Sequence, residues 1–259
     1  MTDLIPGETA PDRTLWTLDG KDAISFLQGL VSNDLRPLER GPGIVWAGFL
    51  TPQGKYLADF FVLRLPGGPL LLDIASQLAA DTLRRLTMYR LRADVRIIPS
   101  ALHVLRGLGA PPDGALADPR HPALGWRLYT DRPGTAPQID WDRIRVTHVI
   151  PESGIELVPD ESYILEARFE PLHGVDFRKG CYVGQEVTAR MKHKTELRKG
   201  LVGLRIEGSA PVGTEILAGD KPVGTLFTQS AGRAIAHLRL DRMTGPLTAD
   251  TARLWAEEG

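Results

Sequence analysis

Between Ile44 and Ile74 the chain sets three apolar runs around two short turns. Ile44 to Leu50, Tyr56 to Leu65 and Leu70 to Ile74 each have strand length. Thr51-Pro52-Gln53-Gly54 and Pro66-Gly67-Gly68-Pro69 separate them. Turns this short join antiparallel neighbours, so the segment predicts an antiparallel meander. The same punctuation continues elsewhere: 27 Gly and 20 Pro in 259 residues predict many turns and short strands rather than long helices.

Around the meander the periodicity changes. Arg13 to Leu18 reads as a short strand. Lys21 to Val31 places Ala23, Leu27, Leu30 and Val31 at helical spacing, with Asp19 or Gly20 as cap and Ser32-Asn33-Asp34 as a closing turn. Ser76 is positioned to cap a helix carrying Leu78, Ala79, Leu83 and Leu86, followed by a strand from Val95 to Ile98. Residues 107–137 read as loops around a strand at Trp126 to Thr130. Asp140 caps a helix that runs to Val149 and stops at Pro151. Residues 152–180 hold no sustained period. After Arg198 the short runs Val202 to Ile206, Gly224 to Phe227 and Ala234 to Leu240 predict a separate small β-barrel or sandwich.

Charge excludes some partners. Lys plus Arg (31) nearly cancels Asp plus Glu (32), so no global field draws the chain to nucleic acid or an anionic membrane. No apolar stretch approaches the roughly 20 residues of a membrane span. One cysteine rules out an internal disulfide, and the first residues lack the pattern of a secretory signal, so a soluble cytoplasmic protein is expected. No CxxC pair, HExxH, P-loop or GxSxG element occurs, and the six histidines are scattered, so no resident metal site is expected. Gly107-Leu108-Gly109 starts like a dinucleotide fingerprint, but its next glycine, Gly114, comes too late.

The lone cysteine sits in Lys179-Gly180-Cys181-Tyr182-Val183-Gly184-Gln185-Glu186. Arg178 and Lys179 supply positive charge that favours a thiolate. Gly180 and Gly184 permit close approach of backbone or ligand. Residues Gln185 to Met191 begin a helix or a strand, which puts Cys181 at an element's entrance. Two readings stand: a partly exposed thiol at a pocket, or a buried cysteine acting as a small hydrophobe. Arg190, Lys192, His193, Lys194, Arg198 and Lys199 form a basic cluster, either a solvated loop or a landing site for carboxylates. A cluster of iron and sulfide takes four protein ligands, so one cysteine cannot hold one within a single chain.

This octapeptide closely resembles the signature of the YgfZ family of folate-binding proteins, whose mitochondrial relatives assist iron–sulfur cluster assembly. The likeness extends through Leu172 to Phe177, Val187 to Met191, Gly20 to Asp34, Phe49 to Asp59 and Tyr89-Arg90-Leu91-Arg92. It implies an α+β fold like the aminomethyltransferase (T-protein) of the glycine cleavage system. Two intertwined α/β subdomains (residues 1–197) would surround a central folate cavity, with a C-terminal β-barrel at 198–259. It implies tetrahydrofolate or a one-carbon derivative as cofactor, and iron–sulfur client or scaffold proteins as partners. Cys181 is then the reactive group. Lys179, Tyr182, Gln185, Glu186, Arg190, Asn33 and Asp34 would surround the folate, with Lys179, Arg190 or Lys192 meeting its tail carboxylates. The resemblance to transferases of this fold implies consecutive acids in the hairpin, where this chain has the single acid of Ala58-Asp59: a catalytic position at Ala58 excludes glycine-cleavage chemistry, and one at Asp59 leaves it open. One-carbon transfer with Asp59 as the catalytic carboxylate is the rival reading, and a non-catalytic folate-binding module is the third.

Overall fold

The computed structural model describes residues 6–193, 197–243 and 245–256. Lys194 of the basic cluster lies outside them. The chain begins with β1 (Glu8–Thr9), β2 (Arg13–Asp19), α1 (Ala23–Gln28) and a short helix α2 (Pro37–Arg40). It continues with β3 (Gly43–Leu50), β4 (Tyr56–Arg64), β5 (Leu70–Ala75), α3 (Ser76–Arg90) and β6 (Arg96–Pro99). Five of these strands form an antiparallel sheet in the order β3-β4-β5-β2-β6. The predicted meander is its first three strands. Strand β4 is buried along both faces until Arg64, because α1 and α3 cover one side and a second core fills the other.

A second antiparallel sheet takes β7 (His103–Gly107), β8 (Leu116–Ala117) and β9 (Trp126–Thr130). Its order is β1-β7-β9-β8, so β1 leaves the first sheet's sequence neighbourhood and pairs across nearly a hundred residues, Glu8 opposite Arg106. The two sheets are thereby interlocked. Helix α4 (Trp141–His148) follows, capped as expected by Asp140, whose Oδ1 accepts the Arg143 N–H at 2.9 Å. Its C-terminal Val149 adopts φ +53, and the chain then turns away at Pro151.

Residues 149–184 form turns without a helix or strand, and α5 (Gln185–His193) ends the large region. The remainder is β10 (Lys199–Glu207), β11 (Glu215–Ala218), β12 (Lys221–Ser230), β13 (Arg233–Arg239), β14 (Leu247–Ala249) and β15 (Ala252–Ala256). These close in the order β10-β13-β12-β11-β14-β15 around their own apolar core. A closed barrel, rather than a sandwich, leaves no free edge.

Several elements depart from expectation. Helix α1 is shorter than Lys21 to Val31, and Asp22 precedes it without a side-chain cap. Gly20 permits a close chain crossing instead of capping the helix. At φ +116 it passes so near Asp94 that a Cβ would lie 2.0 Å from that carbonyl oxygen. Ala75, not Ser76, occupies the cap position of α3, and the Ser76 hydroxyl accepts a bond from Thr14 instead. Strands β1, β7, β8, β11, β14 and β15 escape sequence reading: each is only two to five residues long and lacks a sustained apolar run marked off by turn residues.

Candidate functional site

The octapeptide is a loop fastened at both ends with its cysteine outward. Lys179 is buried, and its Nζ donates to the carbonyls of Gln28 and Val31, each at 2.5 Å. Those carbonyls belong to the last turn of α1 and the residues beyond it, where helices leave acceptors unpaired and cations are favoured. Burial lowers the ammonium pKa to about 8 against the opposing pull of Asp34 and Asp176. The Val183 N–H bonds the Gly29 carbonyl at 3.2 Å. Gly184, at φ +85, lies against the β3–β4 turn, where a Cβ would come 2.6 Å from the Thr51 carbonyl oxygen. Tyr182 inserts its ring into the core that also holds Trp46 and Tyr56. Its hydroxyl lies beside Thr188, whose own hydroxyl is turned to the Gly184 carbonyl, and it has no hydrogen-bond partner among the described residues. Burial pushes the phenol pKa up. Between these anchors Cys181 is exposed.

The turn at Ser32-Asn33-Asp34 holds the segment leading into this loop. The Ser32 hydroxyl donates to Gly174 O (2.6 Å) and accepts from the Gly48 N–H (2.8 Å). Asn33 Nδ2 donates to Trp46 O and His173 O. Asp34 accepts from Arg36 and Gln28, and chiefly the Arg36 hydrogen bonds hold its carboxyl at about 2. The polar atoms of Lys179, Asn33 and Asp34 are thus engaged within the protein. On α5, Glu186 and Arg190 are exposed one turn apart and Gln185 is half-buried, while Lys192 pairs with Glu170.

Sequence reasoning missed a second constellation, a polar centre between the two sheets. Asp73 is fully buried and accepts from Arg13 Nε (2.7 Å), Arg127 (2.6 Å) and the Tyr129 hydroxyl (2.9 Å). Asp118 takes a two-pronged bond from Arg120 at 3.0 and 2.9 Å. The guanidinium groups of Arg13, Arg120 and Arg127 gather over the Phe61 ring, 5.6, 5.0 and 4.2 Å from its centroid. Asp59 faces this core, not the helices. Its carboxylate accepts from Trp46 Nε1 (2.7 Å), Tyr56 OH (2.6 Å) and Ser153 Oγ (2.6 Å). Burial, and then the Asp59 charge, push the Tyr56 phenol pKa well up. Phe49, opposite Ala58 in the sheet register, lies in the other core with Ala58 itself.

Two charged groups here are only loosely partnered. Arg106 lies over the Trp141 ring at 4.7 Å, yet its buried Nε has no acceptor among the described residues. Burial, with Arg127 nearby, pulls its pKa down. The Glu152 carboxylate accepts no hydrogen bond among the described residues and is held by a long ion pair to Arg145 at 3.7 Å. Burial favours its neutral form, but Arg145, Arg120, Arg13 and Arg106 outweigh that and keep its pKa low. Both residues are half-buried, so the centre opens to solvent there. A separate cleft of about 170 Å³ lies between the barrel and residues 156–167, lined by Tyr163, Glu166, Phe227 and His237, and holds none of the signature residues. Among the described residues no group of three or more His, Cys, Asp or Glu side chains is placed to hold a metal ion.

Comparison with known proteins identifies this arrangement. Residues 198–258 match the family model for the C-terminal β-barrel domain of CAF17. The chain is 32% identical over 285 residues to the mouse mitochondrial iron–sulfur cluster assembly factor IBA57, covering 93% of this chain and 79% of that protein. The human protein is 32% identical over 276 residues, with 91% and 78% covered. The chain belongs to the IBA57 family of iron–sulfur cluster assembly factors. The family's homologue from Mycosarcoma maydis is 35% identical over 223 residues, and the match spans only 55% of that longer protein. In solved structures, aminomethyltransferase T of the glycine cleavage system from Bartonella henselae superposes with a TM-score of 0.72. It covers 94% of this chain and 82% of its own at 13% identity, which shows the shared fold. The expectation of a cytoplasmic protein is corrected by these IBA57 relatives, which are named as mitochondrial. A reduced thiol is not peculiar to the cytosol, so the single cysteine was a poor guide to compartment.

Proposed function

We propose that this protein supports iron–sulfur cluster assembly by offering Cys181 as one thiolate ligand to a cluster whose other ligands come from a partner protein. The observation that carries this reading is the presentation of Cys181: an exposed sulfur on a loop anchored by Lys179, Tyr182, Val183 and Gly184. The thiol gives up its proton, and Sγ donates a lone pair to iron. Rigid anchoring removes much of the ordering cost of that contact.

A reduced folate would sit at the interior polar centre. A pterin presents adjacent N–H donors, which match the Glu152 carboxylate, paired only with Arg145 at 3.7 Å, and a glutamate tail presents carboxylates, which match Arg106. Glu152 and Arg106 would hold the ligand, and tetrahydrofolate would supply a one-carbon carrier there. Residues 1–197 would form the folate-binding region and 198–259 the barrel. Gln185, Glu186 and Arg190 would act at the rim, while Asn33, Asp34, Lys179 and Tyr182 support the loop. The rival reading, one-carbon transfer with Asp59 as catalytic carboxylate, draws on the transferase fold and on Asp59 facing the same core.

The test is genetic. In cells lacking the gene, Cys181→Ala should fold and bind folate normally but fail to restore cluster-containing enzymes. Full restoration by that variant sinks the thiol role. Turnover of an aminomethylated lipoyl carrier that is lost in Asp59→Asn would instead establish the transferase.

A further inference from the structure

Three of the eight large apolar side chains exposed among the described residues fall within four positions at the end of α3. Met88 is 68%, Tyr89 39% and Leu91 89% exposed. Leu91 is anomalous twice. It ends α3 at φ +43, in the left-handed region where glycine is the usual residue, and it keeps its side chain in solvent. Neither packing nor backbone geometry accounts for a leucine there. Arg90 and Arg92 flank it and are exposed. The neighbouring Arg84 and Arg85 pair with Asp81, and Arg96 with Asp19, whereas Arg90 and Arg92 have no carboxylate partner among the described residues.

This patch and Cys181 lie at opposite ends of α1. Asp94, two residues after Arg92, donates its N–H to the Asp22 carboxylate at the helix start, 2.9 Å away. Val183, two residues after Cys181, bonds Gly29 at the helix end. Six helical residues between them span about 9 Å. The Tyr89 ring also meets Phe49, whose backbone bridges Val31 just past the same helix. An ordinary interface covers about 800 Å² on each partner, roughly 30 Å across, enough to take in both.

We propose that Met88 to Arg92 is the docking surface for an acidic, partly apolar face of the protein that brings the remaining cluster ligands to Cys181. This rests on the function proposed above. A second copy of this chain is disfavoured because two arginine-bearing patches would face each other. Nucleic acid is disfavoured because two guanidinium groups without a carboxylate partner, one of them also donating to the Val95 carbonyl, make too small a footprint for a phosphate backbone on a chain of net charge −1. An acidic protein surface with an apolar centre satisfies both the cations and the three exposed side chains.

The test is photo-crosslinking in cells whose own copy is deleted, with benzoylphenylalanine at position 91 and, as control, at Val212, which is 58% exposed on the barrel region. The expected result is one cluster-carrying protein attached through an acidic segment. The same protein should be captured by a bismaleimide from Cys181. Leu91→Gly and the pair Arg90→Glu/Arg92→Glu should each cut a Cys181-linked adduct at least tenfold. Leu91→Gly should leave Tm unchanged or raise it, since glycine suits that φ. An adduct to a second copy, to RNA, to a protein that Cys181 never captures, or no enrichment over position 212 overturns the proposal. Full complementation by Leu91→Gly and by the charge-reversed pair, with Cys181→Ala failing, overturns the docking surface alone. Full complementation by Cys181→Ala instead removes the reading beneath it.

Discussion

Replacing Asp73 by Asn should destabilise the protein by about 3 kcal/mol, at the low end of the range for stranding a buried ion-pair partner. Asparagine keeps the shape but removes the charge that faces Arg13 and Arg127. Arg127 is almost wholly buried and would retain only Asp118, 3.6 Å away, as an opposing carboxylate, which is why the low end is expected. The Asp73 carboxyl titrates at about 2, against an ordinary 3.8: burial raises it, and the two arginines more than reverse that. A depressed carboxyl stabilises the fold above its unfolded pKa and loses that contribution as pH falls through the folded value. The full linkage is about 2.5 kcal/mol, of which about 1 kcal/mol is gone by pH 3. Urea unfolding followed by circular dichroism should therefore show a gap of about 3 kcal/mol between parent and variant at pH 6, narrowing to about 2 at pH 3. Adding Arg127→Met to Asp73→Asn should recover part of the loss, because the stranded guanidinium is its source. A gap below about 1 kcal/mol at pH 6, or one that widens on acidification, would refute the reasoning.

Arg106→Leu should leave the protein about as stable, since it removes a half-buried cation whose Nε has no acceptor among the described residues, yet abolish binding of tetrahydrofolate by calorimetry; a stable variant with unchanged affinity would remove Arg106 from the ligand site. Lys179 titrates below its ordinary value, so the unfolded chain holds the extra proton between about pH 8 and 10.5 and stability should rise with pH across that window. Solvent near the loop limits the gain to about 1–2 kcal/mol, measurable as a Tm difference that Lys179→Met abolishes. Gly184→Ala should cost about 2 kcal/mol or more through its positive φ and the Thr51 carbonyl, and should make Cys181 react faster with iodoacetamide as the loop detaches; unchanged alkylation would show that Gly184 does not anchor the sulfur.

The meander, α4 and the barrel were legible because each repeats a period or closes with Gly, Pro or a capping acid. The octapeptide stood out as a candidate site because its residue types serve no repeating element. The polar centre was not, although two signals pointed to it: Asp59 and Asp73 are lone acids inside otherwise apolar strand runs. An acid buried in a strand needs a donor, but the donors come from far along the chain. Arg127 lies 54 residues from Asp73, and Ser153 lies 94 from Asp59. Spacing carries no record of such pairings. Lys179 shows the same limit: its two carbonyl acceptors come from a helix about 150 residues earlier, which its neighbours in the sequence do not reveal.

The placement of β1 has a consequence for how the molecule is made. Glu8 and Thr9 are synthesised early, yet their strand partners, Arg106 and Leu105, leave the ribosome about a hundred residues later. Glu8 also collects the N–H groups of Gln138 and Ile139, later still. The N-terminal segment must therefore wait, unpaired, while the first sheet forms, and the second sheet completes only by capturing it. Such long-range closure slows folding and couples both halves into one cooperative unit. Cutting the chain between β6 and β7 should yield two pieces that are each poorly soluble alone, and that regain structure only when mixed.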